Sequence, residues 1–177
     1  MAGRFGSHVR FSCEKHPEKL EFLKKQFAPD RLFTDAAELL TGYAYCAMKE
    51  ESVQVPWVSM ITAGFPCVSR TSLSSASPSN KHCCMNEQGA TGEGFMVVKD
   101  YIFQFKPRIF LLENIVNLAA TSDDSSDVAA SDADYITQCF QERGMWCTYF
   151  EVDPRDWGFL CQEEVVLSWR RRAECVL

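Results

Sequence analysis

Residues 57–67 of this 177-residue chain read WVSMITAGFPC, an order of residue types that predicts a buried strand ending in a reactive side chain. The first seven residues are mostly apolar and do not alternate, which is typical of a strand covered on both faces. A second apolar run, RIFLL at 108–112, leads directly into Glu113 and Asn114. Ligands bind beyond the carboxyl ends of the strands in an open α/β sheet, so we expect Cys67 and Glu113 to share that edge.

The rest of the chain alternates between strand-like and helix-like segments. We predict strands at 9–14, 32–33 and 145–152, and helices at 17–27, 36–40, 95–105 and 135–143. Asp35 is placed to cap the second helix, and Gly144 to end the last one. This alternation predicts a single α/β domain over residues 1–177 with a mainly parallel sheet. Two polar segments are expected to be loops: 68–94, a mobile catalytic loop, and 119–134, which is acidic and Ser-rich.

Composition excludes several classes of protein. The chain is 46% hydrophobic and 24% charged, as soluble globular domains are. It has no bilayer-spanning apolar run and no signal peptide, so we expect no membrane association and an intracellular location, nuclear or cytoplasmic. The nine cysteines are odd in number and lack paired spacing, which favours reduced thiols and no metal site. The net charge of −6 by itself counts against nucleic-acid binding.

Cys67 and Glu113 support two interpretations from their types and spacing alone. A thiol beside a carboxylic acid can perform nucleophilic addition with proton assistance. An isolated cysteine is more often an inert buried residue, and a glutamate at a strand end is more often solvated. The pattern of residue types leaves both interpretations open.

The amino-acid sequences of these segments resemble those of the C5-cytosine methyltransferase family. Residues 64–67 are similar to its Pro-Cys catalytic segment, and residues 113–115 to its Glu-Asn-Val segment. Upstream, 11–14 resembles the strand whose terminal acid holds the cofactor ribose, and 34–35 the segment whose acid meets the adenine amino group. Downstream, 153–162 resembles the stretch that leads into the family's Gln-x-Arg-x-Arg element. The segments follow the family's order over nearly the whole chain.

This resemblance implies a Rossmann-like, S-adenosylmethionine-dependent methyltransferase fold acting on cytosine in DNA. It makes Cys67 the nucleophile that attacks C6 of the base, and Glu113 the acid near N3. Asn114 would help to hold the base or the cysteine loop. Arg170 and Arg172 have the mutual spacing of the family's two arginines, and we include both among the catalytic residues. Their alternative interpretation is a solvated basic cluster.

The cofactor implied by the resemblance is S-adenosyl-L-methionine. Glu14 and Asp35 match the family's ribose and adenine acids, and Pro66 belongs to the matched Pro-Cys segment. We therefore expect these three residues to bind the cofactor. The target base must leave the helix stack to reach such a site.

The chain also departs from the family pattern. The glycine-rich turn that opens the family's domain is missing, Val68 stands where glutamine is usual, and Arg170 and Arg172 come several residues late. No target-recognition region follows. We therefore expect a partial, truncated catalytic domain, a fragment that works within a longer protein or with a complementing chain. Two alternatives remain: a C5-cytosine methyltransferase acting on transfer RNA, and a catalytically inactive methyltransferase-like binding module.

Overall fold

The structure, a computed structural model, describes residues 8–66, 84–86, 89–115, 118–119, 131–152 and 155, and the backbone of 165–171. The chain divides into two compact units, Met1–Val58 and Ser59–Leu177. Each unit contains one four-stranded sheet. The expectation of a single domain over residues 1–177 stays a prediction.

The first unit begins with a strand, a helix and a second, parallel strand. Its elements are β1 (Ser12–Cys13), α1 (Pro17–Gln26), β2 (Leu32–Phe33), α2 (Ala36–Leu39), β3 (Tyr43–Cys46) and β4 (Glu51–Gln54). The strands lie in the order β1-β2-β3-β4; β1 and β2 are parallel, and the other neighbours are antiparallel. Both predicted helices are confirmed.

Local side chains explain where these two helices begin. Pro17 occupies the first turn of α1, where its missing N–H costs no hydrogen bond. Asp35 caps α2, accepting a hydrogen bond from the backbone N–H of Ala37 at 2.9 Å. The chain therefore turns into a helix directly after each of the parallel strands β1 and β2.

The second unit contains both apolar runs that the sequence singles out. Its elements are β5 (Met60–Gly64), α3 (Gly89–Phe105), β6 (Ile109–Ile115), α4 (Asp132–Gln141), β7 (Trp146–Val152) and β8 (Val165–Arg171). The strand order is β5-β6-β8-β7. β5 and β6 are parallel, and β8 runs antiparallel to both of its neighbours.

One face of the second sheet carries the core of this unit. Phe110 of β6 packs on Phe140 of α4 with ring centroids 4.4 Å apart. Phe95 and Ile102 of α3 are fully buried in the same cluster. Removing this apolar surface from water is the main force that holds the two helices against the sheet.

The α/β class is confirmed, and the architecture is compatible with a methyltransferase-like fold. The expected mainly parallel sheet is not what the described strands form, because two of their six neighbouring pairs are parallel and four are antiparallel. The difference comes from β8, which lies between β6 and β7 and is antiparallel to both, and from the β3–β4 hairpin.

The exposure of one strand and the starts of two helices also differ from the sequence expectations. β5 lies at an edge of its described sheet and has exposed positions such as Met60, so it is not covered on both faces. α3 begins at Gly89, inside the segment 68–94 that we expected to be a loop. α4 begins at Asp132, inside the segment 119–134, because Ser131 provides a cap. No helix in the described ranges has the length and apolar character needed to cross a membrane.

Candidate active site

Glu113 lies beside the last residue of β5. The parallel register of β5 and β6 pairs Gly64 with Glu113, so the two positions face the same side of the sheet. A Cβ atom built at Gly64 would lie 2.6 Å from Glu113 Oε2. The carboxylate of Glu113 therefore extends over the end of β5, next to the point where the Pro-Cys segment begins.

Asn114 points to the opposite face of β6, because side chains alternate along a strand. Its side chain is buried, with 4% of its surface exposed. The amide nitrogen Nδ2 donates a hydrogen bond to the carbonyl oxygen of Phe65 at 3.1 Å, and Oδ1 accepts one from the backbone N–H of Ile115 at 2.9 Å. Asn114 is thus bonded to the residue two positions before Cys67, and its expected role in holding the base or the cysteine loop stays a prediction.

Two further contacts fix the segment that precedes Cys67. The buried ring of Phe65 packs on Phe95 of α3, with centroids 5.7 Å apart. A Cβ atom built at Gly94 would lie 3.0 Å from Pro66 Cδ and 3.2 Å from Phe65 Cβ. The lack of a side chain at Gly94 thus lets α3 approach the backbone of the Pro-Cys segment closely.

Three of the predicted catalytic residues, Cys67, Arg170 and Arg172, are described only in part or not at all. Cys67 and Arg172 lie outside the described residues. The backbone of Arg170 lies in β8, in register with Cys147 of β7, while Leu167 of the same strand is paired with Glu113. The catalytic roles of these residues remain predictions.

Glu14 and Asp35, the predicted cofactor residues, follow the two parallel strands of the first unit. The N–H of Glu14 donates to the carbonyl of Phe33 at 3.0 Å, and Glu14 Oε1 accepts from the N–H of His16 at 2.8 Å. Both carboxylates act on one thiol: burial, followed by the charges of Asp35, Glu14 and Glu38, raises the pKa of Cys13 to about 12. Glu14 and Asp35 are therefore brought together at the carboxyl ends of β1 and β2.

A small apolar cleft lies on the helical side of the second sheet. Phe65, Leu112, Asn114, Ile136 and Tyr149 are among its lining residues. The hydroxyl of Tyr149 donates to Asp134 Oδ1 at 3.3 Å, and burial followed by the charge of Asp134 raises the pKa of Tyr149. The lining is too apolar to bind a charged group, so the cleft is better suited to holding Phe65 than to performing chemistry.

Sequence reasoning missed the glycines that shape this site. Gly64 and Gly94 each make room for a neighbouring segment, whereas attention to chemistry selected only the side chains that react. A signal was present, since an isolated glycine in a strand pattern often marks a close approach by another group. No cluster of three or more potential metal ligands occurs among the described residues.

Comparison with known proteins gives one informative similarity. Over 111 residues, or 62% of its length, the chain is 32% identical to DNA (cytosine-5-)-methyltransferase DMT5 of Cryptococcus neoformans var. grubii. The matched region is 4% of that protein. The similarity supports a distant relationship to a C5-methyltransferase. No protein-family model matches the chain.

Proposed function

We propose that this chain provides catalytic segments of a DNA C5-cytosine methyltransferase, which transfers a methyl group from S-adenosylmethionine to carbon 5 of cytosine. The observation that carries the proposal is the parallel pairing of β5 with β6, in which Gly64 and Glu113 are in register. This pairing puts the glutamate beside the start of the segment that carries Cys67. The similarity to a DNA methyltransferase supports the same reaction class and favours DNA over RNA.

The proposed chemistry begins with Cys67. Carbon 5 of cytosine is a weak nucleophile, and addition of the Cys67 thiolate at C6 would give it the electron density it lacks. A carboxylic acid at Glu113 would donate a hydrogen bond or a proton at N3 and so stabilise the adduct. After the methyl group has joined C5, loss of the C5 proton would return an electron pair to the ring. That pair would expel the Cys67 thiolate and restore the free enzyme.

The contacts that hold Phe65 and Pro66 support the proposed role of Cys67 as nucleophile. Asn114 holds the Phe65 carbonyl, Phe65 packs on Phe95, and Pro66 lies against Gly94. Reactions of this kind need the attacking atom placed within a few tenths of an ångström, and a displacement of about 1 Å can cost on the order of a hundredfold in rate. The anchoring of two consecutive residues before Cys67 fits that need.

The residues of the first unit fit the chemistry of the proposed cofactor. Ribose hydroxyls and the adenine amino group are hydrogen-bond donors, and the carboxylates of Glu14 and Asp35 are acceptors. Burial and then the charges of nearby carboxylates raise the pKa of the Cys13 thiol, and the same carboxylate charges would favour a positively charged sulfonium. S-adenosylmethionine, when bound, would supply the electrophilic methyl group. Glu14 and Asp35 would hold its nucleoside part, while Pro66 remains a cofactor contact on the resemblance alone.

Covalent trapping tests the proposed nucleophile. DNA containing 5-fluorocytosine cannot lose a proton from C5, so with S-adenosylmethionine present the chain should remain bound through Cys67. The complex should survive denaturing electrophoresis. Cys67→Ser should abolish it, and Cys139→Ser, a matched change at a half-buried cysteine of α4, should not. A Cys67→Ser protein that still traps would show that the nucleophile is assigned wrongly.

Two further results of the same experiment separate the alternatives. Trapping on 5-fluorocytosine RNA but not on DNA would support the transfer-RNA branch of the reaction. A folded chain that traps neither, even with a complementing chain of the same enzyme type added, would support an inactive binding module.

Calorimetric titration tests cofactor binding separately from catalysis. We expect S-adenosylhomocysteine to bind the chain, and Glu14→Gln and Asp35→Asn each to weaken binding about tenfold, a loss equivalent to one charge-assisted hydrogen bond. Asparagine is as good a helix cap as aspartate, so Asp35→Asn keeps α2 intact while it removes the charge. Unchanged affinity in both variants would remove these residues from the proposed cofactor site.

A further inference from the structure

Gly64 has no conformational reason to be glycine. Its φ angle is not in the left-handed region, unlike those of Gly42 and Gly144, at +83° and +70°, which have nothing within 4 Å of a built Cβ atom. Glycine within a strand is less stabilising than alanine, because its unfolded chain has more conformational freedom to lose. The backbone at position 64 would accept a side chain, so the space around it must explain the residue.

Among the residues that the structure describes, the group nearest to that space is the carboxylate of Glu113. The atom nearest to a built Cβ is Glu113 Oε2 at 2.6 Å, and the next, Glu113 Cδ and the Glu113 carbonyl oxygen, are at 3.8 and 3.9 Å. The only described atom in collision is therefore the far end of a flexible, exposed side chain. A methyl group at this position would move the carboxylate without displacing the backbone of either strand.

We propose that Gly64 is a positioning residue for Glu113: by lacking a side chain, it lets the carboxylate extend across the end of β5 towards the Pro-Cys segment. This inference deepens the proposed function and rests on it for its catalytic meaning. Alanine or a larger residue at position 64 deflects the carboxylate away from β5. The fold remains, while the acid group no longer lies over the strand that leads to Cys67.

The direct test observes the carboxylate itself, in the full chain and without substrate. Protein labelled with ¹³C at glutamate side-chain carboxyl groups gives one signal per glutamate, and Glu113→Gln identifies the signal of interest by removing it. In Gly64→Ala we expect the Glu113 signal to move while the other glutamate signals stay in place. Thr62→Ala is the matched control, because Thr62 is exposed on the same face of the same strand, two residues earlier. An unmoved Glu113 signal in Gly64→Ala overturns the inference.

Trapping on 5-fluorocytosine DNA then tests the catalytic meaning. At saturating DNA, Gly64→Ala should form the covalent complex at least about tenfold more slowly, as expected when a reacting group is misplaced. The DNA concentration for half-maximal trapping should stay within about twofold, since DNA contacts outside the reacting centre are unchanged. Equal trapping rates for Gly64→Ala and wild type would overturn the positioning role. Wild-type protein that does not trap would contradict the proposed function and leave the NMR result to decide the geometry.

A double variant keeps the test decisive if Gly64→Ala folds poorly. If the added methyl group destabilises the chain only through Glu113, then Glu113→Ala in the same chain should recover most of the lost melting temperature, because the two positions are coupled. No recovery in Gly64→Ala/Glu113→Ala would mean that the methyl group collides with something else, and the inference would be wrong.

Discussion

The amide of Asn114 joins two backbone segments through one side chain. It donates to the Phe65 carbonyl beyond the end of β5 and accepts from the N–H of Ile115 in its own strand. A buried amide satisfied on both sides fixes its neighbours strongly, because losing either partner leaves a polar group without water or protein to bind. Asn114 thus ties the Pro-Cys segment to β6 on the face opposite Glu113.

Asn114→Ala should lower the free energy of unfolding by about 1–3 kcal/mol, because the Phe65 carbonyl and the Ile115 N–H lose their partner in a buried site. Urea denaturation followed by circular dichroism measures this loss. Asn114→Asp is the informative comparison, since it keeps the acceptor for Ile115 and loses the donor for Phe65. A change under about 0.5 kcal/mol, the usual size for a surface substitution, would contradict the structural role.

The thiol of Cys13 should be unusually slow to react with alkylating reagents. Burial first, and then the charges of Asp35, Glu14 and Glu38, raise its pKa from 9.0 to about 12, and only the thiolate attacks. Because the folded pKa is the higher one, the stability linked to this thiol is complete below pH 9 and is lost as the pH rises towards 12.

Iodoacetamide labelling across a pH series, read by mass spectrometry of the Cys13 peptide, measures the effect. Asp35→Asn removes one of the charges and should make Cys13 react faster at a given pH, although burial, the larger cause, remains. A labelling rate for Cys13 that rises with a midpoint near pH 9 in the wild type would contradict this prediction.

Helix α4 depends on a reciprocal cap at its first turn. Ser131 Oγ accepts from the N–H of Asp134 at 3.1 Å, and Asp134 Oδ2 accepts from the N–H of Ser131 at 2.9 Å. The hydrogen bond from the Ser131 side chain holds the pKa of Asp134 below its usual value. The cap starts the helix at Asp132 and so places Ile136 and Phe140 in the core.

Ser131→Ala should cost about 1 kcal/mol of stability, the usual value of a helix cap. Asp134→Asn should also destabilise the chain at neutral pH, and this difference should shrink in acid. The sign follows from the lowered pKa: the carboxylate's contribution is present above its ordinary value near 3.8 and is lost as the pH falls through the folded value. Thermal unfolding at pH 7 and pH 3 compares the two variants with the wild type, and a pH-independent difference for Asp134→Asn would exclude the linkage.

The elements that sequence reasoning found are those with strong local signals. Pro17 and the apolar spacing after it predicted α1, and Asp35 predicted the start of α2, because caps and first-turn residues act locally. β3 and β4 were missed although Tyr43 to Cys46 alternate between exposed and buried positions, because each strand has only four residues. β8 was missed because its place is set by distant partners in β6 and β7.

The candidate site likewise has features that the sequence predicts and features that depend on strand pairing. Glu113 and Asn114 could be predicted from the sequence, because their residue types follow an apolar run and match a segment of the family. That Asn114 holds the Phe65 carbonyl, and that Gly64 makes room for Glu113, depends on strand register and on which face each residue takes. A single sequence without its pairing partners does not carry that information.

The two sheets of the molecule have no strand in common, and β8 is the inner strand that joins β6 to β7. Ser168 pairs with Leu112 on one side and with Tyr149 on the other. Proline has no N–H to donate and is not tolerated in a central strand. The second sheet should therefore be far more sensitive to proline in β8 than the first.

Ser168→Pro should abolish slow amide exchange in β6 and β7, while the amides of β2 and β3, which belong to the other sheet, stay protected. Hydrogen exchange read by mass spectrometry of peptides resolves the two sheets. Ser168→Ala keeps the N–H and should leave both patterns unchanged. Equal loss of protection in both sheets would show that the two units unfold together.

The inner position of β8 also matters for how the chain is made. A ribosome delivers β5, β6 and β7 before residues 165–171, so β6 has one paired edge and β7 has no partner in this sheet until the last described strand emerges. Open strand edges are templates for pairing with other chains. A nascent polypeptide that pauses before Val165 therefore presents the open edges of β6 and β7. Slow translation of residues 165–171 should increase binding of the nascent chain by chaperones. Chains that end before Val165 should aggregate.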